Sequence, residues 1–394
     1  QLMNSKIKIG IVGARFAAEF HYKCYKRIYG VPVEVVGVFS QNPQSSRKFA
    51  ERNSVSSTSS LEELINSVDV IDICAPAYVH EDIGVRAFKA GKHVIIEKPL
   101  TGYFGSMGQN FDPAKVPKEE MMKEAMASAY RIREAGVNAK RKLMYAENWV
   151  YAPSVQKERE ILCSSQGQIL WMLGEESHSG SHSSAYGDWS KAGGGSIVGK
   201  GCHPLTAALY LKREEGRVRL GQPLRPLSVS ARVHNITQLS SYQNKGFLRS
   251  DYLNVEDYGQ IHLTFDDGMV ADIFSTEIVL GGVHNWLEVM ANNHRSRCNI
   301  NPTDSLTTFN PKEDQLKDVY IVEKIGTKQG WNYPSPDEDW MTGYPQELQD
   351  FMECIAEDRE PQCGGELAQD VVAVMYASYA SAERHGAEVE VPRQ

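Results

Sequence analysis

Apolar and polar positions change rhythm near the middle of this 394-residue chain. From residue 6 the sequence runs Lys-Ile-Lys-Ile-Gly-Ile-Val-Gly, a short β-branched run that stops at Gly13 and passes into a helix-like stretch over 17–28. Short apolar runs bounded by glycine predict strands, and apolar positions recurring every three to four residues predict helices. The alternation continues with a strand over 33–39, a helix over 44–52, the helical Leu-Glu-Glu-Leu-Ile-Asn-Ser, and a strand over 68–74. A helix over 83–90 and a strand over 93–96 follow. Such alternation predicts a parallel sheet with right-handed crossovers, whose ligand crevice lies at the carboxyl ends of the strands. A stretch over 102–117, rich in Gly, Asn, Asp and Pro, reads as an inserted loop before a helix over 118–135 and a closing strand over 141–147.

Beyond that point strands come in series, over 228–233, 258–265, 270–277 and 286–290, with Asp266-Asp267-Gly268 as a hairpin turn. Helices over 154–162, 196–210, 345–356 and 366–383 bracket them. The fold class is therefore α/β plus α+β. A dinucleotide-binding domain over 1–144 precedes a domain over 145–394 built on a large, mainly antiparallel open sheet.

Charge narrows the function classes. Lys plus Arg number 42 against 50 Asp plus Glu, a net charge of -8, so no overall positive field draws the chain to nucleic acid or anionic lipid. No apolar run reaches the roughly 18 residues of a membrane span, and residues 1–10 lack an apolar signal region. The two residues ahead of Met3 are set aside from the fold argument. Seven cysteines, at 24, 74, 163, 202, 298, 354 and 363, form no C-x-x-C pair and sit largely in apolar runs, which predicts reduced, buried thiols and a cytoplasmic location. G-x-S-x-G, Walker and H-E-x-x-H motifs are absent, which removes serine hydrolase, phosphoryl transfer and zincin readings.

A strand ending at Gly13 and a helix opening at Phe16 and Ala17 place unpaired backbone N-H groups and a helix dipole where a pyrophosphate would sit. The glycine pattern departs from G-x-G-x-x-G/A, because Arg15 stands where the middle glycine would be; an ordinary tight turn is the competing reading. Ser40 closes the second strand where an acidic residue would favour NAD, and Arg47 follows in the next helix, so the cofactor is left as NAD or NADP.

The third strand ends in Cys74-Ala75-Pro76-Ala77-Tyr78-Val79-His80 and the next in Glu97-Lys98-Pro99-Leu100. With Gly193-Gly194-Gly195, His203 and the Tyr344-x-x-Glu347-x-x-x-Phe351 helix, these resemble the Gfo/Idh/MocA family over nearly the whole chain. The resemblance implies a nicotinamide-dependent dehydrogenase of sugars or polyols, dimeric or tetrameric through its second domain. It implies cofactor contacts at Ala75, Pro76, His80, Glu97, Lys98 and Asn148. Lys98 would touch nicotinamide ribose and substrate hydroxyl, and His203 would be the acid/base. The Asp that the family commonly carries four residues before that His is Gly199 here, so His203 must be oriented from elsewhere; Lys200 would lie beside it as an added cation.

Between residues 174 and 189 stand His178, His182, five serines, Tyr186 and Trp189, read as a flexible run offering hydrogen bonds and an aromatic face to a sugar. His178 and His182 lack an acidic third ligand at motif spacing, so no metal is expected. Tyr151 is placed with substrate, and Trp149 with substrate or interdomain packing. His284, Trp331, Asp339 and Tyr344 are candidates for the far wall.

The resulting expectation is an NAD(P)-dependent oxidoreductase acting on a secondary hydroxyl, or the matching ketone, of a sugar, glycoside or cyclic polyol. Redox-assisted glycoside cleavage with cofactor recycling and a non-catalytic cofactor-binding sensor are the alternatives.

Overall fold

The computed structural model describes residues 5–106, 109–300 and 306–394, so Met107 and Gly108 of the inserted loop lie outside the described residues. The first half alternates β1 (Ile7–Val12), α1 (Phe16–Tyr25), β2 (Val33–Phe39), α2 (Pro43–Asn53), β3 (Ser56–Ser57), α3 (Leu61–Ser67), β4 (Val70–Ile73), α4 (His80–Lys89) and β5 (His93–Glu97). After the inserted loop come α5 (Lys118–Ala139) and β6 (Leu143–Ala146). All pairings in this sheet are parallel, in the order β3-β2-β1-β4-β5-β6. The order reverses between β1 and β4, and that switch point opens the crevice. Helices cover both faces, so strands such as β4 are buried throughout and read as unbroken apolar runs. Asn42 starts α2 by accepting from the amides of Gln44 and Ser45, and Ser60 starts α3 by accepting from Glu63.

The chain then crosses through α6 (Asn148–Tyr151) and α7 (Pro153–Ser165) to β7 (Ile169–Ser177). Next come α8 (Trp189–Ala192), α9 (Cys202–Leu220), β8 (Pro226–His234), β9 (Tyr258–Phe265), β10 (Val270–Thr276), β11 (His284–Ala291) and β12 (Arg295–Asn299). A small ladder of β13 (Thr308–Asn310) and β14 (Gly330–Asn332), helices α10 (Glu338–Thr342), α11 (Tyr344–Glu357) and α12 (Gly365–Glu383), and β15 (Val389–Glu390) complete it. The large sheet runs β12-β11-β7-β10-β9-β8-β15 and is antiparallel except for the β7–β10 pair. α9 and α12 pack on it, and α12 also meets α5 of the first half.

β7 is the longest of the strands that the periodicity did not reveal. Residues 174–177, read as the start of a flexible run, are its last four, in register between β10 and β11. Two consecutive glutamates at a strand end look like solvent-exposed chain. Here Glu176 is buried near His203, and Glu175 accepts from the Trp286 indole. None of the described helices is long and apolar enough to cross a membrane. The seven cysteines are free, and five of them are buried.

Candidate active site

At the switch point, Gly13 has φ +106°, and a Cβ there would lie 2.7 Å from the Cys74 carbonyl oxygen. Only glycine lets the ends of β1 and β4 approach this closely while holding that backbone angle. Arg15 is the N-cap of α1 but provides no side-chain cap, and Phe16 is 77% exposed. The first-turn amides therefore keep their donors for a ligand, and the cradle fits a dinucleotide pyrophosphate even without the middle glycine. At the end of β2 a cavity of about 770 Å³ is lined by Ser40, Arg47 and Ser57 to Ser59 among others.

Lys98 follows β5 on a loop held from two sides. Below it, the His21 ring sits between two carboxylates, with Nδ1 2.7 Å from Asp72 and Nε2 2.7 Å from Glu97. The Tyr25 hydroxyl donates to the same Asp72 oxygen, and the other Glu97 oxygen accepts from the Lys98 amide at 3.0 Å. Burial disfavours the imidazolium, but Asp72 and Cys74 together outweigh it and drive the His21 pKa well above its ordinary value. To one side, the His80 ring lies 2.9 Å from the carbonyls of both Ala75 and Pro99. His80 is buried and committed to these carbonyls, so it splices the two motif loops together; the expected cofactor contact is corrected to this role. Glu97 likewise spends its oxygens on His21 and the Lys98 amide. The Lys98–Pro99 bond is cis.

The Lys98 ammonium reaches across the cleft and donates to the Gly199 carbonyl at 2.9 Å, with the Tyr186 ring 5.6 Å away. Burial works against its charge, yet Tyr186, Cys202 and the carboxylates of Glu176 and Glu97 raise its pKa above the usual lysine value. Gly199 belongs to a widened turn, Ile197–Gly201, that leads into α9, an irregularity often found at functional sites. That turn rests on Glu256, whose carboxylate accepts from the amides of Gly195 and Ile197 and from the Tyr379 hydroxyl. A Cβ on Gly195 would fall 2.3 Å from the Glu256 backbone, which explains the last glycine of the triplet. Burial lifts the Glu256 carboxyl to about 7.

His203 sits one turn beyond Gly199. Its Nδ1 contacts the Glu147 carboxylate, delivered from the end of β6, and its ring stacks on Trp149 at 6.0 Å and 18°. Its Nε2 has Glu176 at 3.8 Å, too far for a hydrogen bond. Burial pushes the His203 pKa down to about 4; Lys98 adds to this and Glu176 opposes it. Burial also raises Glu147 and Glu176, against the pull of Lys98. In place of the missing Asp, a Glu from the end of the first sheet meets the His203 ring. The sequence pattern puts Glu147 at the end of the closing strand and points to its neighbours Asn148, Trp149 and Tyr151 instead.

Those neighbours make contacts within the protein. The Asn148 amide donates to the Thr342 carbonyl at 2.8 Å, tying α6 to α10. The Tyr151 hydroxyl donates to Asp350 at 2.7 Å and accepts from the Cys363 amide, and the side chain is 2% exposed, so it has no polar tip left for substrate. Trp189 is also corrected: it is buried against Tyr379 at 4.8 Å with its indole N-H on the Tyr103 carbonyl, where it anchors the inserted loop. Tyr186 is the aromatic beside Lys98. Lys200 is buried and turned to Glu277 and Ser181, not laid against His203. His178 is buried with Nδ1 accepting from the Gly180 amide, and burial with nearby Lys200 lowers it to about 2; His182 is exposed on a neighbouring cavity of about 350 Å³.

Of the far-wall candidates, Tyr344 packs edge-on against Phe20 at 4.5 Å and lies near Glu97 and Glu347, whereas Trp331 is 67% exposed on Phe309 in the small ladder. Glu347, one turn after Tyr344, is buried with both carboxylate oxygens unpartnered, and burial drives its pKa well up. Two groupings, His21-Asp72-Cys74 and Glu147-Cys202-His203, bring possible ligand atoms within 4.8 Å, but each histidine already faces a carboxylate there.

A Gfo/Idh/MocA family model, described as an oxidoreductase family with an NAD-binding Rossmann fold, matches residues 7–115, and the model of that family's C-terminal α/β domain matches 178–391. An uncharacterized protein of Saccharomyces cerevisiae, YMR315W, is 31% identical over 162 residues, 40% of this chain and 40% of its own length. The chain thus matches less than half of that relative. GenD2 from gentamicin A biosynthesis, solved in complex with NAD, superposes with TM-score 0.79 at 21% identity, covering 100% of this chain and 98% of that one. The myo-inositol 2-dehydrogenase of Lactobacillus plantarum gives 0.73 at 19%, covering 98% and 100%.

Proposed function

Since this chain belongs to the Gfo/Idh/MocA family of NAD-binding oxidoreductases, we propose that it oxidises a secondary hydroxyl of a sugar, glycoside or cyclic polyol, or reduces the matching ketone. The observation that carries this reading is the facing pair of Lys98 and His203, one cationic and one neutral, across the cleft between the two sheets. A bound nicotinamide dinucleotide supplies the hydride acceptor or donor. Lys98 leaves the Gly199 carbonyl to hold the substrate oxygen and stabilise negative charge growing on it. Neutral His203 takes the hydroxyl proton at Nε2, while Glu147 at Nδ1 fixes the ring and favours the imidazolium that forms. Glu176, close to Nε2, adds to that stabilisation. Residues 1–144 bind the dinucleotide and 145–394 select the substrate, with Tyr186 over the Lys98 side of the cleft. A cyclic polyol is named for one structural neighbour, which supports this substrate class. Assembly as a homodimer or homotetramer belongs to the same reading.

The test is a panel of sugars, glycosides and inositols with either dinucleotide, followed by reduced-nicotinamide absorbance and product analysis. Growth of that absorbance supports the dehydrogenase. Product release without it favours elimination with cofactor recycling, and dinucleotide binding with no turnover across the panel favours a sensor.

A further inference from the structure

The cavity at the carboxyl end of β2 carries a charge pattern that the cleft chemistry does not use. Its lining includes Ser40, Ser46, Arg47, Ser57, Thr58 and Ser59, and Arg47 is the one charged residue in it. The Arg47 guanidinium, exposed on the first turns of α2, makes no hydrogen bond or ion pair with any described residue. Glu63 touches the rim but turns its carboxylate into the Ser59 amide and hydroxyl, at 2.8 and 2.7 Å, and does not line the cavity. The Ser40 hydroxyl accepts from the Asn42 amide at 3.3 Å and keeps its own proton to donate.

In a sheet of this order, the end of β2 meets the adenosine ribose. A carboxylate there accepts from the 2′-hydroxyl and repels a 2′-phosphate, whereas a neutral hydroxyl with a free guanidinium does the reverse. We propose that this cavity is a 2′-phosphate site, with Arg47 and Ser40 as its donors, and that the chain prefers NADP(H) to NAD(H). The inference rests on the reading that a nicotinamide dinucleotide occupies the crevice. Arg47 forms the charge-assisted bonds, and its planar fork suits phosphate oxygens better than a lysine would. Because the guanidinium is exposed, the preference weakens as salt rises.

The experiment is fluorescence titration of the full chain with NADPH and with NADH at fixed low ionic strength, with Arg47→Ala and Ser40→Asp beside it. NADPH is expected to bind at least about tenfold more tightly, the scale of one charge-assisted hydrogen bond. Arg47→Ala should erase most of that ratio while leaving the NADH Kd nearly unchanged, and Ser40→Asp should invert it. Equal or tighter NADH binding by the unaltered chain, or an unchanged ratio in Arg47→Ala, overturns the proposal and leaves the dinucleotide reading intact. Failure of both dinucleotides to bind overturns that reading and the proposal together.

Discussion

Two buried histidines stand on either side of the Lys98 loop, each flanked by two carboxylates, and their environments drive them in opposite directions. His21 meets Asp72 and Glu97 at 2.7 Å each, through both ring nitrogens, and its pKa is raised well above 6.5. His203 meets Glu147 through one nitrogen, has Glu176 at 3.8 Å from the other, and falls to about 4. Two bonded partners saturate the His21 ring, and with its pKa raised it stands as a charged strut beneath β4 and β5. One bonded partner and one distant carboxylate leave a nitrogen free and a ring neutral, which is what proton transfer requires. Carboxylate count alone does not assign a role; the geometry at the second nitrogen does.

The largest test of this contrast is removal of the cleft pair. Lys98→Ala and His203→Ala should each lower kcat by roughly 10²–10⁴-fold while dinucleotide titrations stay near the unaltered values. Near-wild-type turnover in either variant would remove that residue from its role. On the other side of the loop, His21→Leu strands Asp72 and Glu97 in the core and should cost about 3–5 kcal/mol of stability, read as a fall in Tm. Its kcat per folded molecule should change little, and a kcat loss matching that of His203→Ala would erase the distinction between strut and base.

Glu147→Gln should lower kcat about tenfold to a hundredfold with KM little changed, and Glu147→Asp should recover part of it. A purely structural Glu147 would instead show as a lost Tm with unaltered turnover.

The pH dependences separate the two sites further. The folded pKa of His203 is depressed, so its neutral form persists as pH falls, and the acid limb of kcat/KM should lie near 4 and not near 6.5. His21 is raised, so the stability it contributes is complete below about pH 6.5 and is lost as pH rises through its elevated folded pKa. Alkaline thermal melts should therefore fall in the unaltered chain and flatten in His21→Leu. The smallest effect belongs to Gly199→Asp. A Cβ there meets only the Tyr186 ring, at 3.5 Å, and Nδ1 of His203 is already paired, so kcat should move by less than about threefold. Collapse of activity would mean that the open backbone at 199 serves Lys98 more than its carbonyl alone implies.

What could be read in the chain follows the range of the signal. β2 runs Val33–Phe39, as the apolar run indicates, and α4, α5 and α11 differ from their periodicity by a few residues at their ends, because strand and helix periods are local properties of side-chain order. Lys98 at a strand end and His203 on a helix after three glycines stood out through the family resemblance, and the fold brings both to one cleft. The polar tips of aromatic residues were not legible: Tyr151 and Trp189 look like substrate contacts in a linear chain, and only packing shows that Asp350 and the Tyr103 carbonyl already use them.

By itself, then, the order of residues determined the alternating first half and the serial strands of the second. The tertiary structure alone decided the pairing of groups far apart in the chain. Glu147 reaches His203 across 56 positions, and Lys98 reaches Gly199 across 101. The physical reason is that a carboxylate or imidazole has no fixed role until burial sets its charge and its neighbours saturate its bonds. Both are properties of the folded packing and not of any local stretch of sequence.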